Sequence, residues 1–369
     1  MSNYNKYNHS CSKNNLASNL ESSICEGVSS HIHLALSPWN LTDDYNRHAG
    51  VTLLSFLDHC PEYAKVTAHL LYDKRFCVGK EKETEYNKWC YQLIADRYNC
   101  ELIYHHVDLP EWVNDIPAVK KWTPGTLMRL CLPDLLPDVD KILYLDCDMV
   151  VLTDIGELWN TKLGSKYLAA CIDEWIMNKA TKQRMEYYEK VSVPLKNYFN
   201  AGLLLLNLKL LREQPNPFSS TLFSYLHDNP ELPFLDQDLL NWYCKGDYIL
   251  LDKKYDVFPW WKDAIEYTDD CIIHYTIGKP WKMYNGDIDN FYWKYLFETP
   301  WSEDLLTYLH YVRDAPDIQK SISLIQKNFF GIIDGSRVDK VKCAVSLSFS
   351  IWSEFIIGIL KIVRSKIHS

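Results

Sequence analysis

The segment Leu143-Tyr144-Leu145-Asp146-Cys147-Asp148 sets two carboxylates one residue apart at the end of an apolar run. In extended chain Asp146 and Asp148 face the same way. Two like charges that close are costly unless a cation sits between them. Hard oxygen donors suit Mn²⁺ or Mg²⁺. A solvated pair of loop acids is the better explanation of an isolated Asp-x-Asp. The buried strand ahead of this one, with Asp154 just beyond, shifts the balance to a metal site, because ligands of α/β sheets bind beyond the carboxyl ends of strands.

Three further segments carry groups that could act on a ligand. In Phe199-Asn200-Ala201-Gly202, Asn200 can hydrogen-bond hydroxyls and Gly202 permits close backbone approach. In Leu235-Asp236-Gln237-Asp238, an acid and an amide open a helix; capping by Asp236, with Asp238 favoured by the helix dipole, is the plainer account. In Ile272-Ile273-His274-Tyr275-Thr276-Ile277-Gly278-Lys279, a histidine suited to metal follows an apolar strand, and Lys279 could hold a phosphate. A hydrogen-bonded core histidine is the plainer account of His274. Each of these three is weak alone.

The elements that position them alternate. Strands are predicted at 31–36, 66–72, 101–107, 141–145, 167–172, 201–206 and 271–275. Helices are predicted at 47–58, 81–98, 123–132, 176–189 and 236–245. The alternation implies an α/β fold, a mainly parallel sheet with helices on both faces. Lys141 to Leu145 is apolar enough to be buried on both sides. Residues 1–30 are polar and of low complexity and are expected to be disordered.

The bulk properties set limits. With 39 basic and 48 acidic residues the net charge is −9, which argues against nucleic acid as a partner. The 12 cysteines include no Cys-x-x-Cys pair, so a zinc ribbon is not expected. The first 30 residues lack the apolar core of a signal peptide, and a cytoplasmic location with reduced thiols is the expectation. The 25 Tyr and 13 Trp suit stacking on sugar faces as well as they suit a core of large side chains.

Taken in order, the four segments resemble the pattern of glycosyltransferase family 8, which includes glycogenin and bacterial lipopolysaccharide galactosyl- and glucosyltransferases. The resemblance covers about residues 31–282. It implies the GT-A nucleotide-diphospho-sugar transferase fold, a Rossmann-like mixed sheet flanked by helices, over 31–285, with a C-terminal helical extension at 286–369. It also implies a UDP-sugar donor, Mn²⁺ (Mg²⁺ as the alternative), a glycan acceptor and transfer with retention. On this resemblance Asp146, Asp148 and His274 hold the metal. Arg129, Asn200, Ala201, Gly278 and Lys279 bind the donor, as do Ala35, Asp44, Tyr45 and Cys147. Asp236 and Gln237 stand nearest the anomeric carbon. Two departures stand out. Ser37-Pro38-Trp39-Asn40-Leu41-Thr42 intervenes where the family has an acid directly after the first strand. Lys279 also lies one residue closer to His274 than is usual.

Residues 345–369 carry apolar groups at helical spacing with a basic edge at Lys361, Arg364 and Lys366. Such a helix could lie on the inner membrane face, where lipid-linked acceptors sit, or pack on the body or on a second copy in a homo-oligomer. The aromatic stretch 291–301 resembles the extension of the lipopolysaccharide-type members. A catalytically silent nucleotide-sugar-binding scaffold in a glycan assembly complex is the alternative from another class. A divalent-metal phosphohydrolase is disfavoured, because Cys147 and Met149 add neither acid nor hydroxyl.

Overall fold

The computed structural model describes residues 31–179, 181–259, 270–282 and 288–304. The disordered segment expected at 1–30 and the tail expected at 345–369 lie outside the described residues. The chain forms two compact units, Met1–His274 and Tyr275–Ser369.

Among the described residues of the first unit, nine strands form two sheets: β1 (His31–Trp39), β2 (Lys65–Tyr72), β3 (Glu101–His106), β4 (Lys141–Leu145), β5 (Met149–Val151), β6 (Leu168–Ile172), β7 (Phe199–Asn207), β8 (Ile249–Leu250) and β9 (Ile272–His274). Seven make one sheet in the order β3-β2-β1-β4-β7-β6-β8, and β5 pairs with β9. The β1–β2, β2–β3, β1–β4 and β6–β8 pairs are parallel, as the alternation predicts. β7 runs against both β4 and β6. That reversal has a functional consequence: the start of β7, not its end, lies beside the carboxyl end of β4.

The apolar runs explain the central strands. Ile142 to Leu145 and Leu203 to Leu205 are almost wholly enclosed, as a strand with helices on both faces must be. The helix Tyr45–Asp58 is buried along most of its length. It begins two residues earlier than the apolar spacing suggests, because Asp43 Oδ1 accepts the Tyr45 N–H at 3.0 Å. β1 also outruns its prediction and passes through Pro38, with a register shift between Leu36 and Trp39. A proline is tolerated at such an irregularity, where no ladder donor is needed. Between Trp39 and the helix, Asn40 ties the intervening residues into one turn: its Oδ1 accepts from the N–H groups of Thr42 and Asp43 at 2.8 and 3.1 Å.

Elsewhere the predicted boundaries shift. Residues 124–131 form a 3-10 helix, followed by a short α-helix Leu132–Leu135. The predicted helix 176–189 is two pieces, Glu174–Lys179 and Lys182–Lys190. β5 and β8, three and two residues long, have too little periodicity to be seen in sequence.

In the second unit the described residues include the helix Asp289–Glu298. The Tyr275 hydroxyl donates to the Ile288 carbonyl at 2.8 Å, and the Tyr275 and Tyr292 rings meet edge to face. Among the described residues no helix is long and apolar enough to cross a membrane.

Candidate active site

Asp146 ends the β4 run, and Asp148 immediately precedes β5. β5 pairs with β9 so that Met149 stands opposite His274. This register brings a histidine from far along the chain beside the acid pair. One ligand atom from each of Asp146, Asp148 and His274 lies within 4.8 Å of the others. His274 Nε2 is 3.6 Å from Asp146 and 3.4 Å from Asp148. Its other nitrogen, Nδ1, meets Asp256 at 2.8 Å in a buried contact. A carboxylate behind the imidazole fixes its orientation and makes it a stronger ligand. Two hard carboxylates and an oriented imidazole are therefore a donor set that suits a divalent cation. Burial works against charge on His274, yet Asp256 and Asp148 lift its pKa to about 10.

Gly202 makes room for this histidine. A Cβ at Gly202 would lie 2.2 Å from His274 Cε1 and 2.8 Å from Nδ1. Its backbone cannot retreat, because its carbonyl accepts the Asp146 N–H at 2.7 Å. The notion of His274 as a bland core residue does not account for two carboxylates facing one ring edge and a third holding the other.

Arg129 joins the acid pair to the Asp236 region. Its Nη2 donates to Asp146 Oδ1 at 2.6 Å, its Nε lies 3.2 Å from Asp236 Oδ2, and its Nη1 donates to the Ala201 carbonyl. The guanidinium also lies 4.1 Å over the Tyr144 ring. It is 3% exposed, so its charge persists only because these acids offset desolvation. Burial raises the Asp236 carboxyl to about 7, while Arg129 pulls it down and Asp146 pushes it up.

Asp236 is not the helix cap that its position suggests. It is the first residue of the helix Asp236–Cys244, and Leu235 precedes it at φ 44 with no side-chain cap. A β-carbon residue in that region carries backbone strain. Asp238 holds the turn instead: its Oδ2 accepts the Phe234 N–H at 2.8 Å, and its Oδ1 accepts from Tyr188 and Tyr198 hydroxyls at 2.7 and 2.5 Å.

Gln237 and Asn200 meet on a residue that sequence reasoning missed. Asp173 Oδ2 accepts from Gln237 Nε2 at 3.1 Å and from Asn200 Nδ2 at 3.3 Å. Gln237 Oε1 accepts the Ala201 N–H at 3.0 Å, and Asn200 Oδ1 accepts the Gly202 N–H at 2.8 Å. Asp173 follows the carboxyl end of β6, so the strand-end rule that singled out Asp146 could have found it. Asp256 offers no such signal. It matters only because Val257 bridges to Ile273 and so aligns it with His274.

The remaining positions are more scattered. Cys147 is buried between the two acids; burial and their charges push its thiol well up. Tyr45 keeps 37% of its surface exposed, while burial around its hydroxyl and the charges of Asp148 and Asp146 raise its pKa. Asp44 points outward and pairs with Arg47 at 2.6 Å. Ala35 is enclosed within β1, opposite Tyr144 of β4, with no exposed surface. Gly278 and Lys279 belong to the second unit, where Lys279 Nζ lies 5.7 Å from the Trp281 ring.

Comparison with known proteins agrees with this geometry. Residues 38–284 match the family model for glycosyl transferase family 8. A Haemophilus influenzae relative that carries only the general name glycosyltransferase is 27% identical over 60% of this chain and 63% of its own length. The lipopolysaccharide 1,3-galactosyltransferase of Salmonella typhimurium is 28% identical over 69% of this chain and 75% of its own. A crystal structure of the galactosyltransferase LgtC with donor and acceptor sugar analogs is 22% identical, with a TM-score of 0.57 over 74% of this chain and 99% of that one. The mixed sheet is thus the GT-A fold. The match spans the strand-end acids, the Asn200 and Gln237 segments and the histidine strand together, and on it the chain belongs to glycosyltransferase family 8.

Proposed function

We propose that this chain moves a hexose, glucose or galactose, from a UDP-sugar to a glycan acceptor, lipopolysaccharide or another cell-surface glycan, with retention at the anomeric carbon. The observation that carries this reading is the convergence of Asp146, Asp148 and His274 beside the Asn200–Asp173–Gln237 network. Asp146, Asp148 and His274 would hold Mn²⁺, which when bound supplies a Lewis acid to the diphosphate of the leaving group. The acidic chain thereby gains local positive charge where the donor is most negative.

Its own residues do the rest. Asn200 and Gln237 present amide groups to sugar hydroxyls, and Asp173 fixes both amides in place. Arg129 pairs with both Asp146 and Asp236 and offsets their mutual repulsion. The acceptor hydroxyl adds to the anomeric carbon on the face that UDP leaves; the sugar–phosphate bond breaks and the hydroxyl proton passes to the departing phosphate oxygen. Gln237 Oε1 is already engaged by the Ala201 N–H, which disfavours it as a nucleophile. Asp236 is the group for a double displacement, should a covalent intermediate form. Attachment at the inner membrane face through 345–369 remains part of this reading.

Release of UDP from a panel of UDP-sugars with Mn²⁺ tests it. One sugar should give clear turnover, and Asp148→Asn should abolish it. Full turnover in that variant refutes the metal assignment, and donor binding with no release favours a silent scaffold. The product should carry an α linkage by NMR; a β product excludes retention.

A further inference from the structure

Beside the Asp173–Gln237 network stands a second group of side chains that the transfer chemistry leaves unused. Trp175 lies two residues beyond Asp173, and Phe234 two residues before Asp236. Trp122 joins them from the end of the short helix Val119–Trp122: its Nε1 donates to the Pro233 carbonyl at 2.8 Å, and its ring centre lies 6.0 Å from that of Phe234. Trp175 meets Phe234 edge to face at 6.5 Å. All three rings are half-buried, so each keeps surface toward solvent.

Two cations rest on these rings. Arg184 lies 5.3 Å over Phe234 and 5.9 Å over Trp175. Lys121 lies 4.1 Å over Trp122. Neither has a carboxylate within salt-bridge distance among the described residues, although acids outnumber bases in this chain by 48 to 39. Ring faces stabilise a cation but do not neutralise it. Arg184 feels the Asp238 carboxylate only at longer range, so two cations without a salt-bridge partner on one aromatic shelf favour a ligand that brings negative charge of its own. The ring surfaces suit the C–H faces of a saccharide, and the guanidinium suits a phosphate or carboxylate.

We propose that the Trp122–Phe234–Trp175 shelf, with Lys121 and Arg184, selects a saccharide acceptor that carries an anionic group, a phosphate monoester or a carboxylate, close to the accepting hydroxyl. The proposal rests on the reading of the neighbouring residues as a sugar-transfer site and names the class of acceptor that the site takes. Lys121 and Arg184 act here on specificity and touch no reacting atom.

The test compares three acceptors with the full chain: a neutral galactosyl disaccharide, the same disaccharide bearing a phosphate monoester, and its uronate form. Binding is read by calorimetry in the presence of UDP and Mn²⁺. At least one anionic form should bind about ten-fold more tightly than the neutral parent, as charge-assisted bonds to a guanidinium predict. The phosphate and uronate arms show which anion the shelf takes. The advantage should shrink as salt is raised. Lys121→Gln with Arg184→Gln should remove it while leaving the neutral affinity nearly unchanged.

Equal affinities for all three acceptors in the wild-type chain overturn the proposal, as does an advantage that survives the double substitution. The salt series uses only the wild-type chain and decides the matter even if the double variant fails to fold; an advantage indifferent to salt also overturns the idea. UDP release from donor alone reports separately on the transfer reading, so failure of the two is distinguishable.

Discussion

Gly202→Ala is the sharpest perturbation of the proposed metal centre, because it adds one methyl group and no charge. The new Cβ would lie 2.2 Å from His274 Cε1, where ordinary contact begins at 3.4 Å, so the ring must give way by about 1.2 Å. The strand cannot absorb this. Leu203 pairs with Leu145, and the Gly202 carbonyl holds the Asp146 N–H at 2.7 Å. Nor can the ring move freely, since Nδ1 is anchored 2.8 Å from Asp256. Metal ligands tolerate errors of only ~0.2 Å, and a misplacement of about 1 Å costs on the order of 100-fold in rate. We expect metal affinity, measured by calorimetry, and UDP release each to fall at least about 100-fold. Overpacking should cost roughly 1–3 kcal/mol of stability, and the chain should remain folded. Wild-type metal affinity in a folded Gly202→Ala chain would refute the placement of His274 at the metal.

Two further outcomes follow from protonation. His274 carries its proton at neutral pH in the metal-free chain, with a pKa of about 10 held up by Asp256 and Asp148 against burial. Metal binding must displace that proton, so affinity should rise as pH climbs toward 10, and calorimetry in two buffers should show about one proton released per ion; no release would contradict it. Asp238 is raised by burial to about 6 despite its hydrogen bonds to Tyr198, Tyr188 and Phe234. A carboxyl raised on folding stabilises below its unfolded value and loses that contribution as pH rises through the folded one. The shift corresponds to roughly 3 kcal/mol at most. The Tm difference between Asp238→Asn and wild type should therefore move in favour of the variant from pH 4 to 7, and movement the other way would refute it.

The site was partly legible in sequence, for reasons that differ by residue. Asp146 and Asp148 stood out because a buried strand leaves a local signature and its carboxyl end is a general ligand position. Asn200, Gln237 and His274 were weak one by one and gained meaning from their order. Taken alone, Asp236 reads as a helix cap, which it is not; only the resemblance marked it as a site residue. The cap geometry depends on Leu235 and on the grip of Asp238, and neither shows in residue type. Asp173 and Asp256 were missed. A lone aspartate has no local pattern, and the partners that give these two a role come from other strands.

Sequence alone determined what short range can determine: the alternation of strands and helices, the buried β4 run, the paired acids at its end, and the acidic balance of the chain. Tertiary structure decided everything that rests on pairing between distant segments. The antiparallel course of β7 turns Asn200 toward the end of β4, and the β5–β9 register carries His274 to Asp148. Strand order and register follow from hydrogen bonds and packing across the whole sheet. No window of residues contains that information, so the placement of His274 beside the acid pair, and the Asp256 carboxylate behind it, become visible only in the folded chain.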